Sequence, residues 1–150
     1  MPTRSVLLAA LLLPVAACTD WDLYGIGGPD FEGVYTYAGT VDGELGDVVS
    51  GAITITRQRG RRADVTIEWS YIERGEEILY IASDRPAIAS LSEDGSIRFE
   101  FEGDLDLGNR VVGFRLEHDG RLWGDRLDGF WRLVTGTPTT DVGDFTARRY

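Results

Sequence analysis

Lysine is absent from the chain, and all 15 basic side chains are arginine. Without a lysine amine, Schiff-base and lysine-nucleophile mechanisms are excluded. There is one cysteine, Cys18, and one histidine, His118. An intrachain disulfide is therefore impossible, and the several nitrogen or sulfur donors of a zinc site are missing, so no metal is expected. No Gly-x-Ser-x-Gly elbow, phosphate loop or dinucleotide fingerprint occurs, so no cofactor and no catalytic residue is expected. Proline is scarce, with 5 residues, and glycine abundant, with 19, a balance that suits many tight turns between short strands. Beyond the first 17 residues no stretch carries a helical period.

What is present in excess is acid. The 25 acidic side chains give a formal net charge of −10. Such a surface repels phosphate backbones, so nucleic acid is not an expected partner, and solubility is the plain reading of the charge.

Residues 1–17 run from a basic start at Arg4 through an apolar stretch, Val6 to Leu13, to small residues before Cys18. The apolar stretch is too short to cross a bilayer as a helix and reads as the core of an export signal. Val15-Ala16-Ala17-Cys18 resembles the bacterial lipobox, an aliphatic residue and two small ones before a cysteine. The resemblance implies cleavage before Cys18, a diacylglycerol on its thiol and three acyl chains, or two at the least, on that residue, palmitate among them. At about 0.8 kcal/mol per buried methylene, two or three chains hold a protein stably on a membrane. The mature protein would then sit in the cell envelope, facing the periplasm. Thr19 stands where an aspartate would retain such a lipoprotein in the inner membrane, and it favours the outer membrane instead.

Residues 18–30, with Gly25, Gly27, Gly28 and Pro29, read as a tether. Trp21, Leu23 and Tyr24 within it either dock on the domain or lie at the lipid interface. The remaining 31–150 suffice for one domain with a modest core.

That domain is patterned with period two. Val65, Ile67, Trp69 and Tyr71 alternate with polar residues, as do Ile97, Phe99 and Phe101, while Val112, Phe114 and Leu116 alternate with Gly113, Arg115 and Glu117. Successive strand side chains point to opposite faces, so each segment has one apolar and one wet side. Turn residues separate the segments: Asp94-Gly95, Asp119-Gly120 after His118, Arg59-Gly60, Arg74-Gly75 and a longer loop from Asp42. Strands are predicted over 31–41, 51–58, 62–73, 77–83, 87–92, 96–102, 110–117, 121–134 (with a break at Gly124 or Gly129) and 143–149. Eight or nine antiparallel strands in an up-and-down order predict an all-β fold closed into a barrel, which removes two exposed edges. A β-sandwich is the alternative.

Phe31-Glu32-Gly33-Val34-Tyr35 resembles the opening strand of small lipocalin-like and avidin-like barrels. Leu127-Asp128-Gly129-Phe130-Trp131 followed by Gly143-Asp144-Phe145-Thr146-Ala147 resembles their closing hairpin. The resemblance implies a fold and carries no ligand identity.

Few side chains invite chemistry. His118 is predicted in a solvent-exposed turn. Glu100, Glu102, Asp104 and Asp106 share one strand face, with Asn109 nearby, and read as a solvated face rather than a calcium site or an acid/base pair. Asp125 and Asp128 read as partners of Arg126 or Arg132, with a ligand contact as the alternative. Trp69, Tyr71, Phe99, Phe101, Phe114, Trp123 and Trp131 form the predicted interior set, either packing a solid core or lining a pocket for a small apolar ligand. The expected function is a non-enzymatic, membrane-anchored binding barrel for a small apolar ligand or an envelope protein. A protease-inhibitor-like barrel acting through its N-terminal segment is the variant. An enzyme using paired carboxylates on carbohydrate is the rival class.

Overall fold

The computed structural model describes residues 29–136 and 139–150. The expected signal, Cys18, Thr19 and the tether aromatics lie outside them. Nine strands make up the described chain: β1 (Gly33–Thr40), β2 (Val48–Arg59), β3 (Arg62–Glu73), β4 (Glu76–Ala82), β5 (Ala87–Leu91), β6 (Ser96–Asp106), β7 (Val111–Trp123), β8 (Arg126–Thr135) and β9 (Thr139–Arg149). All pairings are antiparallel. β1 pairs with β2 on one side and with β9 on the other, and β2 pairs with β3, so eight strands close into a barrel with β4 as an extra.

The alternation read from the sequence sets the inside. Tyr35 and Tyr37 on β1, Ile53 and Ile55 on β2, Val65, Ile67 and Trp69 on β3, Phe99 and Phe101 on β6, and Phe145 and Ala147 on β9 are buried. Each large apolar side chain so buried contributes roughly 1.5–3 kcal/mol. The turns are short. Arg74 and Gly75, both at positive φ, connect β3 to β4 as a two-residue hairpin, and Gly124, also at positive φ, opens the one from β7 to β8.

One predicted turn is instead the middle of a strand. His118, Asp119 and Gly120 lie within β7, opposite Phe99, Arg98 and Ile97 on β6 and opposite Trp131, Phe130 and Gly129 on β8. The alternation of Phe114 and Leu116 runs on unbroken to His118, so the ring points inward and is fully buried. Gly120 serves close approach rather than reversal. A Cβ there would meet the Asp128 carbonyl at 2.7 Å, and one on Gly129 would run into the Asp119 carbonyl, so a glycine pair lets β7 and β8 press together.

The lower end of the barrel, where β5 turns into β6 and β7 into β8, is plugged by the segment before β1. Phe31 is fully buried there, its carbonyl accepting from the Tyr35 hydroxyl at 2.9 Å and its N–H donating to Gln58 Oε1 at 3.0 Å. Arg149 fastens the plug by donating to the Glu32 carbonyl at 2.9 Å and to Asp125 at 2.6 Å. The 41–47 and 107–110 loops lie at the upper end.

β4 and β5 depart from the simple meander. β3 pairs with β4 through Glu68–Glu73 and with β5 through Arg62–Val65, so the two short strands lie end to end along the same edge of β3. Ser83-Asp84-Arg85-Pro86 interrupts them, and proline lacks the N–H that a continuing ladder would need.

Candidate functional site

Two aromatic groups fill the interior. In the middle, the His118 imidazole lies against Phe99, with centroids 4.7 Å apart, and meets Tyr37, Phe101 and Phe145 edge-on at 5.6, 6.3 and 5.2 Å. Its Nε2 is 3.3 Å from the Tyr37 hydroxyl. Burial pushes the imidazole pKa down to about 3, so the ring is neutral at physiological pH. Burial likewise raises the Tyr37 hydroxyl far above its ordinary range. The Trp69 indole N–H approaches that hydroxyl closely enough to offset part of the rise, yet not in hydrogen-bonding geometry. Trp69 Nε1 and His118 Nδ1 are buried without a partner among the described residues.

Above this group, Trp69, Tyr71 and Trp131 pack edge to face, with centroids 5.4–6.5 Å apart. The Tyr71 hydroxyl donates to the buried Asp47 at 3.3 Å. Its pKa is pushed up to about 12, first by burial and then by the negative charges of Asp141 and Asp47. Burial also raises the Asp141 carboxyl. Trp131 donates to the Thr40 carbonyl at 3.0 Å.

Of the predicted interior set, the structure therefore brings Trp69, Tyr71, Phe99, Phe101 and Trp131 together inside the barrel and leaves Phe114 half-buried. Trp123 is not inside. On β7 the even-numbered residues face inward, so Trp123 lies on the outer surface, 60% exposed, beneath the Arg121 guanidinium. His118, expected in an exposed turn, instead points inward and is fully buried. The alternation running from Phe114 through Leu116 was the signal for it.

The wall of the barrel is open beside the upper part of β6. Among the described residues β6 pairs with β5 only at Ser90–Arg98 and Leu91–Ile97, and above these pairs it has no strand partner on that side. The resulting breach is a cavity of about 660 Å³ between the 82–87 link and residues 100–104. Phe101 and Phe114 form its apolar floor, and Phe114's ring covers Gly103, where a Cβ would meet it at 2.8 Å. Asp84, Glu100, Glu102 and Asp104 line it, against one cation, Arg85. The volume falls within the range of small-molecule sites, and half of the lining residues are polar or charged.

The remaining carboxylates have structural partners or none. Asp128 accepts from Arg126 and from the Thr146 hydroxyl, both at 2.7 Å, and Asp125 accepts from Arg149. Hydrogen bonds and nearby arginines hold the Asp128 carboxyl below its ordinary range against the opposing effect of desolvation. Glu100, Glu102, Asp104 and Asp106 are exposed along the outer face of β6. Among the described residues no three histidine, cysteine, aspartate or glutamate side chains converge on a point that could hold a metal ion.

No protein-family model matches the sequence, and no curated protein matches it. Solved structures do match. The barrel EF1p2_mFAP2b, bound to DFHBI, superposes with a TM-score of 0.55 at 7% identity, covering 79% of this chain and 93% of that one. A redesigned β-barrel, mFAP1, also bound to DFHBI, does so with a TM-score of 0.50 at 10% identity, covering 79% and 94%. At such identities the likeness is one of fold, and the fold it supports is the closed antiparallel β-barrel.

Proposed function

We propose that this protein is a lipid-anchored barrel of the bacterial cell envelope, without catalytic activity, that takes a small, largely apolar ligand through the breach in its wall. The observation that carries this reading is the cavity between the 82–87 link and β6, with Phe101 and Phe114 at its floor. The interior itself is packed with aromatic side chains, so the opening, rather than a hollow barrel, is where a ligand fits. The neighbouring barrels bind DFHBI, which is consistent with small-ligand binding by this architecture. Anchoring rests on the lipobox-like run ending in Cys18, and the outer membrane is the favoured address because Thr19 follows it.

Two measurements test the reading. A Cys18→Ser chain should leave the membrane fraction while remaining folded, and its retention there would refute the anchor. The released chain should bind a neutral solvatochromic aromatic dye, and Phe114→Ala should weaken that binding by about three- to tenfold, since one aromatic contact is worth roughly 0.5–1.5 kcal/mol. Binding unaffected by Phe114→Ala, or no binding of either the dye or any species in an envelope-lipid extract, would remove the breach as the site.

A further inference from the structure

The breach offers more than an apolar floor, because it exposes backbone. Within a strand, the N–H and C=O of one residue point to the same side, and the side alternates from residue to residue. The Ser96 carbonyl accepts from Ser92, on the β5 side. Arg98, Glu100, Glu102 and Asp104 therefore present their backbone groups to that side too. Arg98 is paired with Ser90. Glu100, Glu102 and Asp104 have no strand partner there among the described residues. The opposite wall is alike. Ser83 donates to the Ile67 carbonyl, toward β3, so Ala82, which lines the cavity, turns its backbone groups away from β3.

An open strand edge is a template for another strand unless something deters it. Here the deterrent is selective. The side chains of Glu100, Glu102 and Asp104 stand in a row beside the open edge, and among the described residues none is in an ion pair. Arg115 lies opposite Glu102 in the β6–β7 register, but its ion pair is with Glu117. A second copy of this chain, at a net charge of −10, would bring its own acid to that row. A strand bearing cations at every second position would neutralise it.

We propose that β6 accepts an extended basic segment of a partner protein as an added strand in the breach. Its outward residues are arginine or lysine beside Glu100, Glu102 and Asp104, and its inward residues are apolar, against Phe101 and Phe114. Main-chain hydrogen bonds supply affinity, and the alternating side chains supply selectivity, as in other strand additions. The proposal goes beyond small-ligand binding but uses the same floor, so peptide and dye compete.

The test uses the full chain purified in detergent and a synthetic peptide alternating arginine with valine. Backbone amide exchange is followed by NMR. Saturating peptide should slow exchange at Glu100, Glu102 and Asp104 at least tenfold while leaving Phe99 and Phe101, already paired with β7, unchanged. The combined Glu100→Gln, Glu102→Gln, Asp104→Asn variant should bind the peptide about tenfold more weakly and with little salt dependence. No protection at millimolar peptide overturns the proposal, as does equal protection by a peptide with glutamate in place of arginine. Protection that grows with protein concentration and without peptide would make a second copy the occupant and also overturn it. Dye binding without peptide binding refutes the added strand alone and leaves the small-ligand reading standing.

Discussion

His118 and Phe99 lie face to face in the centre of the barrel, their ring centroids 4.7 Å apart and their planes inclined by 17°. This contact suits a neutral imidazole, and it makes stability depend on pH with a defined sign. In the unfolded chain the histidine takes up a proton near its ordinary pKa of 6.5, whereas in the barrel burial holds that pKa at about 3. Above 6.5 neither state binds the proton and the full stability is present. Below it the unfolded state gains a proton that the folded state refuses, so stability falls with pH toward 3. The expected loss is about 1.4 kcal/mol per pH unit, or roughly 2 kcal/mol by pH 5. Urea midpoints at pH 7 and pH 5 measure it, and a His118→Phe chain should show a much flatter dependence over that window. Equal slopes in the two proteins would mean that the imidazole is accessible to protons in the native state.

The two tryptophans of the β7–β8 hairpin should behave oppositely. Trp123 is on the outer surface and Trp131 is buried, with its indole hydrogen-bonded to the Thr40 carbonyl. Trp123→Ala should leave the urea midpoint nearly unchanged, within about 0.5 kcal/mol, while Trp131→Ala should cost about 3–5 kcal/mol. A comparable loss from both would contradict the inward parity assigned to β7.

That parity is also where the sequence was harder to read. The strand count and the closing pair β1–β9 were legible because alternation and glycine-bounded turns act locally. Asp119-Gly120 carried a strong local turn signal, yet the register with β6 and β8 on either side outweighed it, and Gly124 a few residues on made the reversal. Nothing local distinguished a glycine needed for a turn from one needed for close backbone contact. The breach was less legible still. Residues 77–83 and 87–92 read as two strands of a meander, but that both lie on the same edge of β3 is a long-range fact with only Pro86 as a hint. Alternation marks Phe101 and Phe114 as interior, but it carries no information about the open wall beside them.

Gly143 and Trp131 should be energetically coupled. A Cβ on Gly143 would run into the Thr40 carbonyl and stand 2.8 Å from Trp131 Nε1, so the bare backbone of β9 is what lets the indole of β8 reach β1. Gly143→Ala should destabilise by about 1–3 kcal/mol through overpacking. In a Trp131→Phe background, where that hydrogen bond no longer exists, the same substitution should cost at least 0.5 kcal/mol less, a coupling within the range expected of touching residues (about 0.5–3 kcal/mol). Strict additivity would place the strain of Gly143→Ala at the Thr40 carbonyl alone.

The closure of the barrel rests on β9, and its removal is the most direct test of the architecture. β9 pairs with β8 from Arg126–Arg148 to Thr135–Thr139 and with β1 from Tyr35–Arg149 to Gly39–Phe145. It also supplies Phe145 and Ala147 to the core and Arg149 to the lower plug. Deleting residues 143–150 would leave unpaired backbone on β1 and β8 at once, uncover the Tyr37 ring that stacks on Phe145 at 5.0 Å, and free the segment that seats Phe31. Two open edges beside an exposed aromatic core favour aggregation over a shortened native state. The truncated chain should therefore be insoluble, or soluble without a cooperative urea transition. A soluble, cooperatively unfolding protein lacking residues 143–150 would show that β9 is a dispensable edge and that the sheet does not depend on closing.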